Sequence, residues 1–328
     1  MLPKAELHVH LEGTATPDLV RRIADRHGLE IPEGVFATPD RFAWRDFLDF
    51  LNTYNMVCSV IRTGQDYRDI TYEYLASCAR DGAIYVELTA SIDHARLAGL
   101  SDDEHWEGIA AGIDDARRDH GIEARILSVA VRNYGVDRAV EIAELTAARP
   151  HPYVVGFSLA GDEAGYPPAP YAAAYEVAAN AGLGCTVHAG EWAGAASVRE
   201  ALELPVTRIS HGVRAIEDPE LVRELARREI TLEVCPTSNV VLGVFPSFED
   251  HPFLALRDAG VPLTLGSDDP PYFGASVGGE YTVARERWGL DERELLAITR
   301  TAVEASFAEP ALRAELLTRL TNGDVDSL

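Results

Sequence analysis

The sequence predicts an α/β fold, a (β/α)₈ barrel of the TIM type with extra helices after its first strand. Three observations lead there. Strand-like and helix-like segments alternate along all 328 residues. Several strand-like segments are continuous apolar runs, the pattern of parallel strands covered on both faces. Polar, chemically versatile residues follow these runs, as at the strand ends of a barrel where active sites sit. The whole chain, 1–328, reads as one domain, a length that α/β barrels commonly reach.

The strands are expected near 5–10, 84–90, 124–131, 153–159, 184–189, 208–212, 231–236 and 262–267. The first carries His8-Val9-His10. Side chains alternate along a strand, so both imidazoles face the same way. The connection from Leu11 to Ala83 is too long for one helix and is expected to hold several. One of them, Pro17–His27, places Leu19, Val20, Ile23 and Ala24 on a single face. The aromatic stretch Trp44–Leu51 has helical period and reads equally as core packing or as a lid over the barrel mouth. A later helix starts at Asp218-Pro219, with proline at the first helical position. No G-x-G-x-x-G or G-x-x-x-x-G-K-[ST] stretch supports a nucleotide-phosphate cradle in a doubly wound sheet.

Composition narrows the partners. The net charge is −24, which argues against nucleic acid and anionic membranes and for a small-molecule substrate. No apolar run approaches the ~20 residues of a membrane span. The N-terminus enters a strand at once, so no leader is expected and the cytoplasm is the expected compartment. Cys58, Cys78, Cys185 and Cys235 form no CxxC pair and read as free thiols. Lys4 is the only lysine, which excludes a Schiff-base mechanism unless Lys4 supplies the amine. Nothing in the sequence fixes an oligomeric state.

The strand ends concentrate histidines and carboxylates. They read His8-Val9-His10 with Glu12, Leu159-Ala160-Gly161-Asp162-Glu163, Val187-His188-Ala189-Gly190-Glu191, Ser210-His211-Gly212 and Ser267-Asp268-Asp269-Pro270. Four of the ten histidines fall there. His27, His94, His105, His120, His151 and His251 lie in helix-like or loop stretches and are expected at the surface. His8, His10, His188 and Asp268 make a three-nitrogen, one-carboxylate set suited to one zinc ion with an open position for water. Such an ion lowers the pKa of its water to about 7.

With these stretches in hand, the chain resembles the adenosine deaminase branch of the metal-dependent amidohydrolases over essentially its whole length. PKAELHVHLEG, LAGDE, TVHAGE, SHG and SDDP arrive in that family's order. The resemblance implies His8, His10, His188 and Asp268 as ligands of a single zinc. It implies Glu191 as proton donor to a purine ring and His211 as the residue that orients the zinc water. Asp268 joins these two in the catalytic set. His10, Glu12, Gly161 and Asp269 are implied on the substrate, with Gly161 offering its N–H and Asp269 bonding the imidazole nitrogen of the purine. These roles are chemically coherent: attack at an aromatic C–NH₂ carbon loads charge onto the adjacent ring nitrogen, and a protonated acid there relieves it. The H-x-E with P-C-x-x-C pattern of cytidine-type deaminases is absent; Cys235-Pro236-Thr237-Ser238 is no zinc motif.

The expected reaction is deamination of a 6-aminopurine nucleoside, with adenosine or 2′-deoxyadenosine first, aminodeoxyfutalosine second and free adenine third. Many members carry aspartate where this chain has Glu12, a position that contacts sugar hydroxyls in nucleoside deaminases. Glutamate there also occurs in adenine deaminases and in many bacterial adenosine deaminases. The LAGDE stretch favours the nucleoside form. Rival classes are a binuclear amidohydrolase, which would want a lysine at the fourth strand's end, an HxH-type phosphoesterase and a non-catalytic nucleoside-binding member.

Overall fold

A computed structural model of the chain describes residues 2–148 and 151–323. Eight parallel strands close into a barrel. They are β1 (Lys4–Glu6), β2 (Ala83–Ala90), β3 (Glu123–Val131), β4 (Val154–Ala160), β5 (Gly184–Cys185, continued by His188–Ala189), β6 (Arg208–His211), β7 (Thr231–Val234) and β8 (Leu263–Leu265). β1 to β5 pair in sequence, as do β5 to β8. The ring closes where Val9 bridges Asp268: His10 N–H donates to the Asp268 carbonyl at 3.0 Å, and Asp268 N–H to the His8 carbonyl at 3.2 Å. Every expected strand is present. The first is regular only through Glu6, and its expected continuation to His10 touches its neighbours at single bridges.

The long first connection holds a 3-10 turn at Glu12–Thr14 and three helices, α1 (Pro17–His27), α2 (Phe47–Val60) and α3 (Gly64–Arg80). α1 starts where Thr16 accepts the N–H of Leu19 and ends at Gly28, whose φ of +63° closes the helix without the steric cost of a Cβ. Its buried face is Leu19, Val20, Ile23 and Ala24, as its spacing predicts. A small hairpin, Phe36–Thr38 with Arg41–Phe42, was not expected; it turns on Pro39-Asp40, with Thr38 Oγ1 donating to Asp40.

Deep in the barrel, Arg208 is fully buried between Glu87, at 2.6 Å, and Glu233, at 2.7 Å. Below it, Leu312, Leu316 and Leu320 of a late helix pack with Ala5, Leu7 and Tyr85 to form the barrel floor. Lys4 lies at this end, its ammonium donating to the carbonyls of Leu2 and Asp81. All four cysteines are buried free thiols. Among the described residues no helix is long and apolar enough to cross a membrane.

Candidate active site

The strand ends bring the expected histidines and carboxylates to one point. Ligand-capable atoms of His8, His10 and His188 lie within 4.8 Å of one another, as do those of His8, His211 and Asp268. His10 Nε2 is 3.1 Å from His188 Nε2. Asp268 Oδ1 is 3.6 Å from His8 Nε2 and 3.4 Å from His10 Nε2. Asp268 Oδ2 takes the hydroxyl of Ser238 at 2.6 Å, which turns Oδ1 toward the imidazoles.

The donor set fits a metal. His8 Nδ1 lies 3.2 Å from the Glu233 carbonyl and His188 Nδ1 3.1 Å from the Leu159 carbonyl. Each Nδ1 carries its proton to a backbone oxygen, and each Nε2 lone pair is left facing inward. His8 Nε2 is buried with no hydrogen-bond partner, a cost that a bound cation removes. Burial drives His10 down to about 4 and His188 well below its ordinary value, so both rings are neutral at pH 7 and able to donate a lone pair.

The backbone is strained at this point. His211 and Asp268 adopt φ of +60° and +63°, a left-handed conformation that costs a non-glycine residue of order 1–3 kcal/mol. The turns re-aim both side chains across the mouth. His211 Nε2 stands 3.7 Å from Glu191 Oε2 and 3.8 Å from Asp268 Oδ2.

Two carboxyls here are pushed toward the protonated form. Burial, and then the negative charges of Asp268 and Glu163, push Glu191 well above its usual value. Burial and the adjoining Asp268 do the same to Asp269, whose buried Oδ1 has no partner. Gly13 makes room for that group: a Cβ there would lie 1.7 Å from Asp269 Oδ1. Gly161, at φ +107°, lines the same cavity and has Asn133 packed where a Cβ would go.

Sequence reasoning missed the residues that hold this arrangement. Glu163 collects the backbone N–H groups of Gly190, Glu191, Trp192 and Ala193 and so fixes the loop that carries Glu191. Arg132, fully buried, donates to the carbonyl of His188 at 2.6 Å. The acidic end of LAGDE was the available signal for the first; nothing local marks the second.

The surface assignment of six histidines is corrected for three of them. His94, His105 and His251 are buried. His94 lines the cavity and contacts Asn55 at 3.0 Å, while His105 packs between Tyr67 and Trp106.

The cavity is about 170 Å³. Its outer wall includes Phe47, Phe50 and Leu51 of α2, with Phe47 against Trp192 at 5.3 Å between ring centroids. The Trp44–Leu51 stretch is thus both packed and part of the cavity wall. Glu12 lies outside that wall. Its carboxyl, pushed up to about 7 by burial, accepts the Ser91 N–H at 3.0 Å and the Tyr67 hydroxyl at 3.3 Å.

The family profile described as adenosine deaminase matches residues 3–322. A Chelativorans sp. (strain BNC1) protein named adenine deaminase is 47% identical over 98% of this chain and 98% of its own. One of the same name from Rhizobium rhizogenes is 46% identical over 97% of this chain and 99% of its own. The structure of an Arthrobacter aurescens adenine deaminase superposes with a TM-score of 0.90 at 31% identity, over 98% of this chain and 99% of that one. A Burkhoderia ambifaria amidohydrolase with bound zinc does so at 0.89 and 26% identity, over 98% of this chain and 90% of that one. By profile, sequence and fold together, the chain belongs to the adenosine deaminase family.

Proposed function

We propose that the protein hydrolyses free adenine to hypoxanthine and ammonia with one zinc per chain, held by His8, His10, His188 and Asp268. When bound, the metal supplies a hydroxide near neutral pH by acidifying a water. Glu191, protonated, would stand at the ring nitrogen beside the amino-bearing carbon and supply its proton there, while the water's oxygen would replace the amino group, whose C–N bond breaks and which leaves as ammonia with a proton from that water. His211 orients the attacking oxygen through Nε2. Asp269 bonds the imidazole side of the purine, and Gly161 offers its N–H to the ring, where the missing Cβ allows close approach.

The observation that carries base over nucleoside is the cavity. At about 170 Å³ it is well below the roughly 300–1,000 Å³ of pockets for larger ligands. Phe47, Phe50 and Phe273 narrow it, and the Glu12 carboxyl, the group that would meet a sugar, is already occupied inside the protein. The relatives named adenine deaminase support the same choice. This reverses the substrate order read from the sequence, where LAGDE favoured nucleosides. Four buried free thiols are consistent with the reducing cytoplasm as its compartment.

The test is ammonia release by the zinc-loaded protein from adenine, adenosine and aminodeoxyfutalosine. Adenine should lead in kcat/KM by about 10²-fold or more. Adenosine turned over as well as adenine would overturn the assignment.

A further inference from the structure

Four imidazoles crowd this site, yet only three are assigned to the metal. A chain of hydrogen bonds behind His211 accounts for the difference. It begins at a backbone N–H, which can only donate. Phe253 N–H donates to His251 Nδ1 at 3.2 Å. Burial pushes His251 down to about 3, so the ring is neutral, and its single proton must sit on Nε2. That proton goes to Asn239 Oδ1 at 3.1 Å. The amide orientation follows, and Asn239 Nδ2 donates to His211 Nδ1 at 3.2 Å. His211 Nδ1 is therefore an acceptor, and its own proton lies on Nε2, the nitrogen facing Glu191 and Asp268.

His8 and His188 show the opposite polarity. Their Nδ1 atoms face backbone carbonyls, so their Nε2 atoms carry lone pairs. The relay is built into the core: Asn239 is fully buried in the short helix Pro236–Val241 that follows β7, and Phe245 and Trp288 flank the His251 ring at 5.2 and 5.5 Å.

We infer that Asn239 and His251 are positioning residues which set the Nε2–H tautomer of His211 and thereby make it a hydrogen-bond donor to the reacting oxygen rather than a fourth metal ligand. The inference rests on the proposed role of His211, but it concerns only where one proton sits. Reversing the relay should reverse the tautomer. In Asn239→Asp a carboxylate faces His211 and accepts a proton from Nδ1.

The experiment uses the full-length zinc-loaded chain labelled with ¹⁵N-histidine. Long-range ¹H–¹⁵N correlations assign each ring's tautomer without substrate, so the result is read separately from adenine turnover. Wild-type His211 should be the Nε2–H form, and Asn239→Asp should protonate Nδ1. Supporting residues of this kind are typically worth about 10–100-fold. Asn239→Asp and His251→Phe should lose that much kcat on adenine, with zinc retained and KM changed less than about threefold. His251→Gln, whose amide can still donate to Asn239, should recover most of it. A wild-type His211 protonated on Nδ1 overturns the inference whether or not any variant folds. So does a folded Asn239→Asp protein with an unchanged tautomer and full turnover.

Discussion

Two buried polar clusters share this barrel, and they are built on opposite terms. In the deeper one, Arg208 lies between Glu87 and Glu233 and under the Phe307 ring, 3.6 Å from its centroid. The remaining carboxylate oxygens are occupied. Glu233 takes Thr186 at 3.0 Å and Ser210 at 2.7 Å, and Glu87 takes Tyr85 at 2.9 Å. One guanidinium faces both carboxylates. At the mouth, Asp268, Asp269 and Glu191 converge without such a partner; burial and Asp268 push the other two upward, and His8 Nε2 and Asp269 Oδ1 have no hydrogen bond. The floor holds its carboxylates against a guanidinium as folded, though Glu87 Oε2 and Arg208 Nε and Nη2 make ion pairs without well-aligned hydrogen bonds, whereas the mouth brings carboxyls and imidazoles together with no cationic side chain among them. Glu233 joins the two: its carboxylate pairs with Arg208 while its carbonyl orients His8.

The two clusters should therefore fail differently. At the mouth, Glu191→Gln keeps the shape of the protonated acid but cannot release its proton. The expected loss in kcat is about 10²–10⁴-fold, with zinc content retained and the unfolding free energy nearly unchanged. Wild-type turnover in a zinc-replete variant would remove Glu191 from the chemistry. At the floor, Arg208→Met leaves two buried carboxylates facing one another. Urea unfolding should show a loss of about 3–5 kcal/mol, the usual cost of breaking a buried ion pair from one side. Turnover per folded molecule should change far less than in Glu191→Gln, and an equal loss would erase the distinction between the clusters.

A subtler test uses Glu280, behind the mouth, which accepts the Thr237 N–H at 3.2 Å and is pushed up to about 8 by burial. Its unfolded value is about 4.3, so the folded protein binds the extra proton between these limits. Its contribution to stability is complete below about pH 4.3 and is lost as pH rises toward 8, at up to roughly 1.4 kcal/mol per pH unit. Glu280→Gln should flatten the fall in stability across that window. A slope equal to wild type would mean that Glu280 is ionised in the fold.

The mouth was largely legible in the sequence, for local reasons, whereas the Arg208 cluster was not. Several barrel strands are apolar runs stopped by polar residues, so their position and their chemistry are written side by side, as in TVHAGE. The HxH pair needs only strand alternation to be read. What escaped depends on long-range packing. His94, His105 and His251 sit among charged neighbours, as in Phe248-Glu249-Asp250-His251, and the flanks suggest solvent. Their burial comes from elements far away in sequence: Tyr54 beside His94, Tyr67 against His105 and Trp288 beside His251. The Phe36–Phe42 hairpin was too short to show a period. Glu12 was read by its place in a motif, while its direction is set by Ser91 and Tyr67.

The central claim is that one cation completes the mouth. The most direct test is to strip the protein with a chelator, add zinc back in measured steps and follow adenine deamination. The account predicts activity that rises linearly to one equivalent per chain and then stays level. A break at two equivalents, or full activity in the metal-free protein, would contradict it.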